Sequence, residues 1–514
     1  MVEWCTELFH SRVNQRIELF RMQKTEEDGL MGLVPPTNSE MGVVHISRPM
    51  LHPNIYRKRI LEVEGNPVAG QWVAVYHQQL PRETNRRDGD SRDSGSRDSG
   101  SRDSGSRDSG SRDSGSRDSG TRQGGFVDRR ESAYGSTSSS NSNSNSYSNS
   151  SPREQRGTPQ LFAYGIYNPK SEVAVRLYSW WGQWPDDAFW ESKIRDAVSL
   201  RRDILKLDKT TDAYRVLHGE SDGTPGLVVD RYGDCLSAEV FSLGMYKRCE
   251  PILAMLAKEL GTKHTLIQEC PQFISQEGCS VANRASPELP SSVVINENGV
   301  KYRVHFGTGH KTGFFCDQRD NRHRLAQLCE GKSVLDLCCY TGGFSVQAAK
   351  AGNASEVTGV DLDAEPLATA KKNADINQTR VRFVQSDAFA FMRDMLRIGR
   401  QYDVVVLDPP KLIRSRLELE EGSHKHFDLN RLAIQLVKPG GILLTCSCAG
   451  LLDDESFHGI VRSAAKATGF DDSGSPLPPR TLQILHSHGA APDHPVVAHC
   501  PETGYLKSIW ARVL

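Results

Sequence analysis

Reactive and acidic side chains follow the apolar runs in the C-terminal part of this 514-residue chain. Cys446 and Cys448 stand at the end of one such run, and a cysteine thiolate is a strong nucleophile wherever its surroundings favour the charged form. Asp408 opens the turn Asp-Pro-Pro-Lys after another run, and Asp361 and Asp387 follow two more. This pattern predicts a site where a thiol and several carboxylates lie on one rim.

The stretch Ser333–Phe344, SVLDLCCYTGGF, supplies the turn that such a site needs. Its first five residues form an apolar run that is typical of a buried strand. Thr341, Gly342 and Gly343 then permit a tight turn and a close approach of the backbone to a ligand, and a helical pattern follows. Strand, glycine turn and helix predict the first unit of a doubly wound α/β sheet, which binds ligands at the carboxyl ends of its strands.

Four further strand-like runs follow, and we expect their polar ends to share one rim with the glycine turn. The runs are Glu356–Asp361, Val381–Gln385, Tyr402–Leu407 and Gly440–Thr445. The dinucleotide fingerprint G-x-G-x-x-G is matched only by Thr-Gly-Gly, and the sequence contains no P-loop. The pattern therefore favours an adenosine ligand without phosphates, S-adenosylmethionine, with Asp361 and Asp387 facing its ribose and adenine.

A polar segment, HFGTGHKTGFFCDQRDNRHRLA, precedes the glycine-turn strand directly. It concentrates potential hydrogen-bonding groups, among them Lys311 and Gln318, and a helix is predicted to begin near Gln318. Because of its position we expect this segment to line the site. An ordinary surface loop is the alternative.

Composition excludes several classes of protein. Lys and Arg number 63 and Asp and Glu 64, so the chain has no overall basic excess, and any basic surface that binds nucleic acid must be local. No apolar run is long enough for a membrane helix, and the first residues lack the pattern of a signal peptide. The cysteines suit reduced thiols, and no metal site is predicted. A cytoplasmic protein is the expectation.

The chain divides into segments of different pattern. Residues 1–42 form an N-terminal extension, with Met31 and Met41 as alternative translation starts. Short strands over residues 43–180 predict a small β-barrel, residues 185–306 predict a small α+β domain, and residues 307–514 hold the predicted α/β sheet.

A low-complexity insertion, residues 81–159, interrupts the predicted barrel. It contains six copies of Ser-Arg-Asp-Ser-Gly between Ser91 and Gly120 and then a Ser/Asn tract. So few apolar residues cannot offset chain entropy, which predicts a disordered loop between two neighbouring strands, Trp72–Tyr76 and Phe162–Tyr167. An inert insertion is favoured over one that contacts RNA non-specifically.

The ordered motifs LDLCCYTGGF, VDLD, SDAF, VVVLDPPK and LLTCSCAG resemble the class I S-adenosylmethionine-dependent methyltransferases. GESDGTPGLVVDRYGD, GHKTGFFCDQRDNR and DHPVVAHCPETGYLKSIWARVL are similar to segments of the bacterial large-subunit ribosomal RNA cytosine-C5 methyltransferases of the RlmI type. The resemblance covers about residues 43–80 and 160–514. It implies a PUA-like RNA-binding barrel, a small α+β middle domain and a C-terminal Rossmann-like methyltransferase domain. The extension and the insertion depart from it.

The resemblance also implies covalent catalysis, because C5 of cytosine becomes nucleophilic only after a thiolate adds to C6. The pattern S-C-[SA]-G maps the nucleophile onto Cys448, whereas the T-C-S of some related RNA methyltransferases maps it onto Cys446. Strand alternation does not separate the two, which leaves the choice open with Cys448 favoured. Asp408 is expected to contact the base. The expected cofactor contacts are Tyr340, Thr341, Gly342, Gly343, Phe344, Asp361, Asp387, Asp408, Lys311 and Gln318.

The implied partner is 23S ribosomal RNA, whose target base must leave its stack to reach the rim. Lys411 and Arg48 are the expected RNA contacts, and the family also suggests dimers. Two other functions stay open: a base methyltransferase that acts on a guanine or adenine nitrogen, and a non-catalytic RNA-binding assembly factor. The S-C-A-G motif favours the cytosine chemistry, since nitrogen methylation needs no cysteine nucleophile.

Overall fold

The computed structural model describes residues 33–37, 40–77, 158–306, 313–467, 469–470, 474 and 476–514. Residues 81–157 of the insertion, the alternative start Met31 and the predicted site residue Lys311 lie outside these described residues. Within them, no helix has both the length and the apolar character needed to cross a membrane.

The described residues form strands and α-helices with the following limits. The strands are β1 (Gly42–Ile46), β2 (Asn54–Tyr56), β3 (Ile60–Glu64), β4 (Gln71–His77), β5 (Gln160–Tyr167), β6 (Val173–Trp180), β7 (Ala213–His218), β8 (Leu227–Tyr232), β9 (Cys235–Val240), β10 (His264–Glu269), β11 (Arg284–Ala285), β12 (Ser292–Glu297), β13 (Val300–His305), β14 (Ser333–Leu337), β15 (Glu356–Asp361), β16 (Arg382–Gln385), β17 (Tyr402–Leu407), β18 (Val437–Ser447), β19 (Gly469–Phe470), β20 (Pro476–Leu477), β21 (Leu482–His488) and β22 (Lys507–Val513). The helices are α1 (Asp187–Ser199), α2 (Leu243–Leu260), α3 (Phe273–Glu277), α4 (Arg319–Ala326), α5 (Gly343–Lys350), α6 (Ala364–Ile376), α7 (Ala388–Arg397), α8 (Leu419–Gln435) and α9 (Asp454–Lys466).

The first six strands form one sheet in the order β2-β6-β5-β4-β1-β3, in which only β1 and β4 are parallel. Alternate apolar residues fill its core, including Val44, Val73 and Phe162. The strands on either side of the repeat insertion, β4 and β5, pair antiparallel along their lengths. The prediction that they are neighbours is therefore confirmed.

The middle of the chain forms a five-stranded sheet in the order β11-β10-β9-β8-β7 and a separate hairpin, β12-β13. Helix α2 buries its apolar face on this sheet through Met245, Cys249 and Ile252. The hairpin turns at Asn298 and Gly299, which both have positive φ angles, 50° and 82°. These angles match a type I′ turn, which joins two antiparallel strands directly.

The C-terminal sheet has the order β16-β15-β14-β17-β18-β22-β21. Its first five strands are parallel, and β22 and β21 add two antiparallel strands at one edge. All five residues of β14 are buried, as expected for a central parallel strand covered on both faces. The chain order reverses at β14, whose neighbours are β15 and β17, and such a reversal opens a crevice at the carboxyl ends of the strands.

Candidate active site

The glycine turn after β14 has the conformation of a ligand-binding loop. Cys338 and Tyr340 hold φ angles of 61° and 50°, in the left-handed region that side chains seldom adopt, and Gly342 follows at 77°. A Cβ atom on Gly342 would stand 3.1 Å from the Cβ of Ala370 and from the ring of Phe383. The turn therefore requires glycine here and brings its backbone to the rim.

Asp361 at the end of β15 fixes this turn from the neighbouring strand. Its carboxylate accepts the backbone N–H of Tyr340 at 2.8 Å and that of Asp363 at 3.0 Å. Each carboxylate oxygen still has a lone pair to offer, because each accepts only one of these bonds. Asp361 is half-buried, so those lone pairs remain available to a ligand's hydroxyl groups.

Asp336 is a further candidate site residue, which the sequence analysis missed. It is fully buried in β14, and one carboxylate oxygen accepts both the backbone N–H of Ser345, at 2.9 Å, and its hydroxyl, at 2.6 Å. The other oxygen has no hydrogen-bond partner among the described residues. Burial, with the nearby charges of Asp408 and Asp361, raises the pKa of Asp336 to about 7. The available signal was a single acid inside an apolar strand pattern.

The other predicted cofactor contacts also follow the carboxyl ends of the strands, but they differ in burial and in their hydrogen bonds. Thr341 is buried and its carbonyl accepts a hydrogen bond from the Asn373 side chain at 2.9 Å. Phe344 is buried at the start of α5, whereas Gly343 and Tyr340 are half-buried. Asp387 is exposed and caps α7 by accepting the N–H of Ala390. Asp408 is half-buried where β17 ends.

The two candidate nucleophiles differ in access. Cys446 is completely buried, and burial, with the charge of Asp408, raises the pKa of its thiol well above the usual value. It also contacts the side chain of Gln318. Cys448 lies just beyond the end of β18, is half-buried and packs at the edge of a core cluster that includes Leu506. Of the two thiols, that of Cys448 is the one open to a substrate.

The polar segment before β14 lies mainly between the middle sheet and the C-terminal sheet. Arg319 binds the buried Asp493 through two hydrogen bonds of 3.0 and 2.7 Å, and Arg322 binds the buried Glu297 at 2.6 and 2.7 Å. Gln318 is buried beside Cys446 and accepts a hydrogen bond from Asn321 at 2.7 Å. Gln318 thus lies against the strand that carries the cysteines.

The predicted RNA contacts lie in two places. Lys411 is exposed directly after the Asp408 turn and is close enough to lower the pKa of the buried Lys507. Arg48 is exposed after β1, on the N-terminal sheet. Lys411 therefore belongs to the rim and Arg48 to a separate surface.

A group with metal-ligand chemistry, His52, Cys500 and Glu502, was also missed by the sequence analysis. His52 Nε2 stands 2.5 Å from Glu502 Oε1 and 3.7 Å from Cys500 Sγ. His52 Nδ1 accepts the backbone N–H of Asn54 at 3.0 Å, which puts the ring proton on Nε2, the nitrogen that a metal would need. The geometry favours a His–Glu hydrogen bond over a metal centre.

A family model for S-adenosylmethionine-dependent methyltransferases matches residues 267–465. This chain shares its fold with a solved protein from Streptococcus mutans that is named as a methyltransferase of this kind. The TM-score is 0.58 at 21% identity, over 68% of this chain and 88% of that one. A structure of a methyltransferase complexed with SAH matches with a TM-score of 0.57 at 21% identity, over 68% of this chain and 88% of that one. The strand order of the C-terminal sheet, the rim and the family model together identify the chain as an S-adenosylmethionine-dependent methyltransferase.

The curated relatives narrow this class. Ribosomal RNA large subunit methyltransferase I of Pseudoalteromonas atlantica is 35% identical over 356 residues, which is 68% of this chain and 87% of the relative. The protein of the same name from Vibrio vulnificus is 36% identical over 361 residues, again 68% and 87%. The chain belongs to the ribosomal RNA large subunit methyltransferase I family.

Proposed function

We propose that this enzyme methylates C5 of a cytosine in the 23S ribosomal RNA of the large subunit, with Cys448 as the nucleophile. The observation that carries the proposal is the half-buried thiol of Cys448 just past the end of β18, on the rim that also holds Asp408. The name of the curated relatives supports large-subunit ribosomal RNA as the substrate.

The reaction requires each of these groups in turn. The Cys448 thiolate forms a bond to C6 of the cytosine, which gives C5 the electron density of an enamine. C5 then takes the methyl group that bound S-adenosylmethionine would supply; the C5–CH3 bond forms as the S–CH3 bond breaks, and S-adenosylhomocysteine is left. A base then removes the proton from C5, the C6–S bond breaks and the thiolate is regenerated. Asp408 would contact the amino edge of the base or the protonated N3.

The choice of Cys448 over Cys446 rests on access and charge. Addition to C6 needs a thiolate that touches the base, and a thiol closed off from solvent inside a strand meets neither requirement. Cys446 is such a thiol, fully buried and with its pKa raised well above the usual value by burial. Cys446 then serves as a packing residue.

The cofactor would bind across the glycine turn. The unpartnered oxygen of Asp336 and the crowded glycine at position 342 are the observations that fit an amine-bearing ligand held close to the backbone. Asp361 would bind the ribose hydroxyls and Asp387 the adenine. The remaining proposed contacts are Tyr340, Thr341, Gly342, Gly343, Phe344, Asp408, Gln318 and Lys311.

RNA binding would involve both regions of exposed basic residues. Lys411 at the rim and Arg48 on the N-terminal sheet are proposed to hold the phosphate backbone while the target base is flipped. The six-stranded N-terminal sheet would then act as the PUA-like RNA-binding barrel. The domain limits 43–180, 185–306 and 307–514, a homodimer and a cytoplasmic location remain predictions.

The proposal is tested by methyl transfer to unmodified 23S ribosomal RNA, with labelled S-adenosylmethionine and bisulfite mapping of the product. We expect one protected cytosine with the wild-type enzyme and with Cys446→Ala, and none with Cys448→Ala. Methylation of a guanine or adenine, or full activity of Cys448→Ala, would overturn the cysteine chemistry. If the wild-type chain binds S-adenosylmethionine but methylates no ribosomal RNA, the substrate assignment is wrong.

A further inference from the structure

Lys507 is a buried cation at the candidate nucleophile. It opens β22, where it pairs with Ser447 of the antiparallel neighbour β18, one residue before Cys448. Only 4% of Lys507 is exposed, although lysine is among the residues least often buried. A buried ammonium is costly unless the site gives it compensating negative charge. Its position therefore requires an explanation.

The contacts of the Lys507 ammonium fix the loop that follows Cys448. Its Nζ donates to the carbonyl of Ala449 at 2.8 Å and to that of Tyr505 at 2.9 Å. These bonds tie the first residue after Cys448 to the C-terminal segment. An ammonium has three N–H donors, and two are used here. Both acceptors are neutral carbonyls, which compensate a full positive charge only in part.

The charges around Lys507 converge from several elements. Burial lowers the pKa of Lys507, the neighbouring Asp454, Cys448 and Asp453 raise it, and Lys411 lowers it. Asp408 faces the same end of β18, as its effect on the buried Cys446 shows. His426 on α8 bonds to Ser447 at 3.1 Å, and burial, with the charge of Lys507, lowers its pKa to about 4, so it is neutral at pH 7.

The influence of Cys448 on Lys507 is reciprocal. Two coupled titrating groups stabilise each other's charged forms to the same extent, so an interaction that favours the ammonium also favours the thiolate. Lys411 is the other cation in this group, but it is exposed and screened by water. Lys507 is the buried cation on this side of the rim among the described residues.

We propose that Lys507 is a positioning residue, which holds the Cys448–Ala449 backbone at the rim and stabilises the Cys448 thiolate with a fixed buried positive charge. This inference rests on the proposed role of Cys448. It gives a function to the buried lysine of the motif Tyr-Leu-Lys. Removal of the charge should leave the thiol in place and make it less reactive at neutral pH.

The test measures how fast Cys448 of the full-length protein reacts with iodoacetamide between pH 5 and 10, with mass-spectrometric fragments that separate Cys448 from Cys446. Lys507→Gln should move the midpoint of this profile up by about one pH unit or more. Lys507→Arg should keep it near the wild-type midpoint. Lys438→Gln is the matched control, because Lys438 lies on β18 but pairs with Asp403 at the opposite end of the strand.

The outcomes separate this inference from the proposed function, since alkylation needs no RNA. An unchanged midpoint in Lys507→Gln that still binds S-adenosylmethionine would overturn the inference, whatever the RNA assay shows. Full methyl transfer by Cys448→Ala would instead overturn the proposed chemistry. If Lys507 had a purely structural role, Lys507→Gln should lose S-adenosylmethionine binding without any shift in the midpoint of the alkylation profile.

A second pair of variants leaves Lys507 in place, in case its replacement prevents folding. Cys448→Asp puts a permanent negative charge beside the ammonium, and Cys448→Asn is its neutral match. We expect the Asp variant to have the higher melting temperature, because its carboxylate pairs with the buried cation. A lower melting temperature for Asp than for Asn would contradict the inference.

Discussion

Two regions of this enzyme concentrate charged side chains but use them differently. Between the middle and C-terminal sheets, Arg319 and Arg322 are each bound by a buried carboxylate through two hydrogen bonds. We call this region the arginine junction. At the rim, Asp336 and Asp361 are instead held by backbone N–H groups and one hydroxyl.

The difference indicates which charges stabilise the fold and which serve a ligand. A carboxylate that is fully paired with a guanidinium has little capacity left for a small molecule. A carboxylate held by backbone donors keeps lone pairs for a ligand. Substitutions in the arginine junction should therefore change stability, and substitutions at the rim should change binding or catalysis.

The largest effect is expected from Cys448→Ala. Loss of the nucleophile should lower methyl transfer by at least about 10³-fold. The free energy of unfolding should change by less than about 1 kcal/mol, since the side chain is small and only half-buried. Single-turnover kinetics and urea denaturation measure the two quantities. A large loss of stability would place Cys448 with the structural residues.

Asp493→Asn should instead lower the free energy of unfolding. It leaves the buried guanidinium of Arg319 with only the exposed carboxylate of Asp320, 3.5 Å away, as a charged partner, which costs about 3 kcal/mol of unfolding free energy. Asp394→Asn is the control, because the Asp394–Arg397 pair is exposed and should contribute less than about 1 kcal/mol. Equal losses in the two variants, measured by urea denaturation, would contradict the role of the arginine junction.

Asp361→Asn should weaken the cofactor more than the fold. The amide keeps the shape of the side chain but loses the charge that strengthens hydrogen bonds to ribose hydroxyls, so the Kd for S-adenosylmethionine should rise about 10-fold or more. Titration calorimetry measures it, with Asp375→Asn, an exposed change on α6, as the control. An unchanged Kd would remove Asp361 from the site.

Asp336 should also make the stability of the fold depend on pH. Burial raises its pKa from 3.8 to about 7 in the folded enzyme, so the folded state holds the proton that the unfolded state has released. The stability that this group contributes is therefore complete below about pH 4 and is lost as the pH rises to about 7. Asp336→Asn has no such titration.

The check is urea denaturation of both proteins between pH 4.5 and 7.5. The unfolding free energy of the wild type, relative to that of Asp336→Asn, should fall steadily as the pH increases. A constant difference would mean that the carboxyl of Asp336 titrates alike in the folded and unfolded states.

Local patterns predicted much of the C-terminal sheet. The strands Glu356–Asp361 and Tyr402–Leu407 match their predicted limits, because continuous apolar runs with turn residues at both ends define buried parallel strands. The antiparallel β21 and β22 were not predicted. Their place in the sheet depends on long-range pairing with β18, which no local pattern encodes.

The candidate site was predicted less completely than the strands. Strand ends marked Asp361, Asp408 and Cys448, since polar residues after apolar runs are visible in a sequence. Asp336 and Lys507 were missed because Asp336 lies inside a strand and Lys507 begins one, where a single charge gives no indication of its partners. The types of the residues do not show that Gln318 and the arginines after it have different surroundings. Only the tertiary contacts show this, because Gln318 lies beside Cys446 whereas Arg319 is paired with a carboxylate.

The central claim is that Cys448 forms a bond to C6 of a cytosine in ribosomal RNA. It is tested most directly with large-subunit RNA that contains 5-fluorocytidine, because fluorine at C5 cannot be removed as a proton and the covalent intermediate is trapped. In the presence of S-adenosylmethionine, we expect a protein–RNA adduct with the wild type and with Cys446→Ala, joined through the peptide that contains Cys448. An adduct that persists in Cys448→Ala, or no adduct with an active wild-type enzyme, would contradict the account.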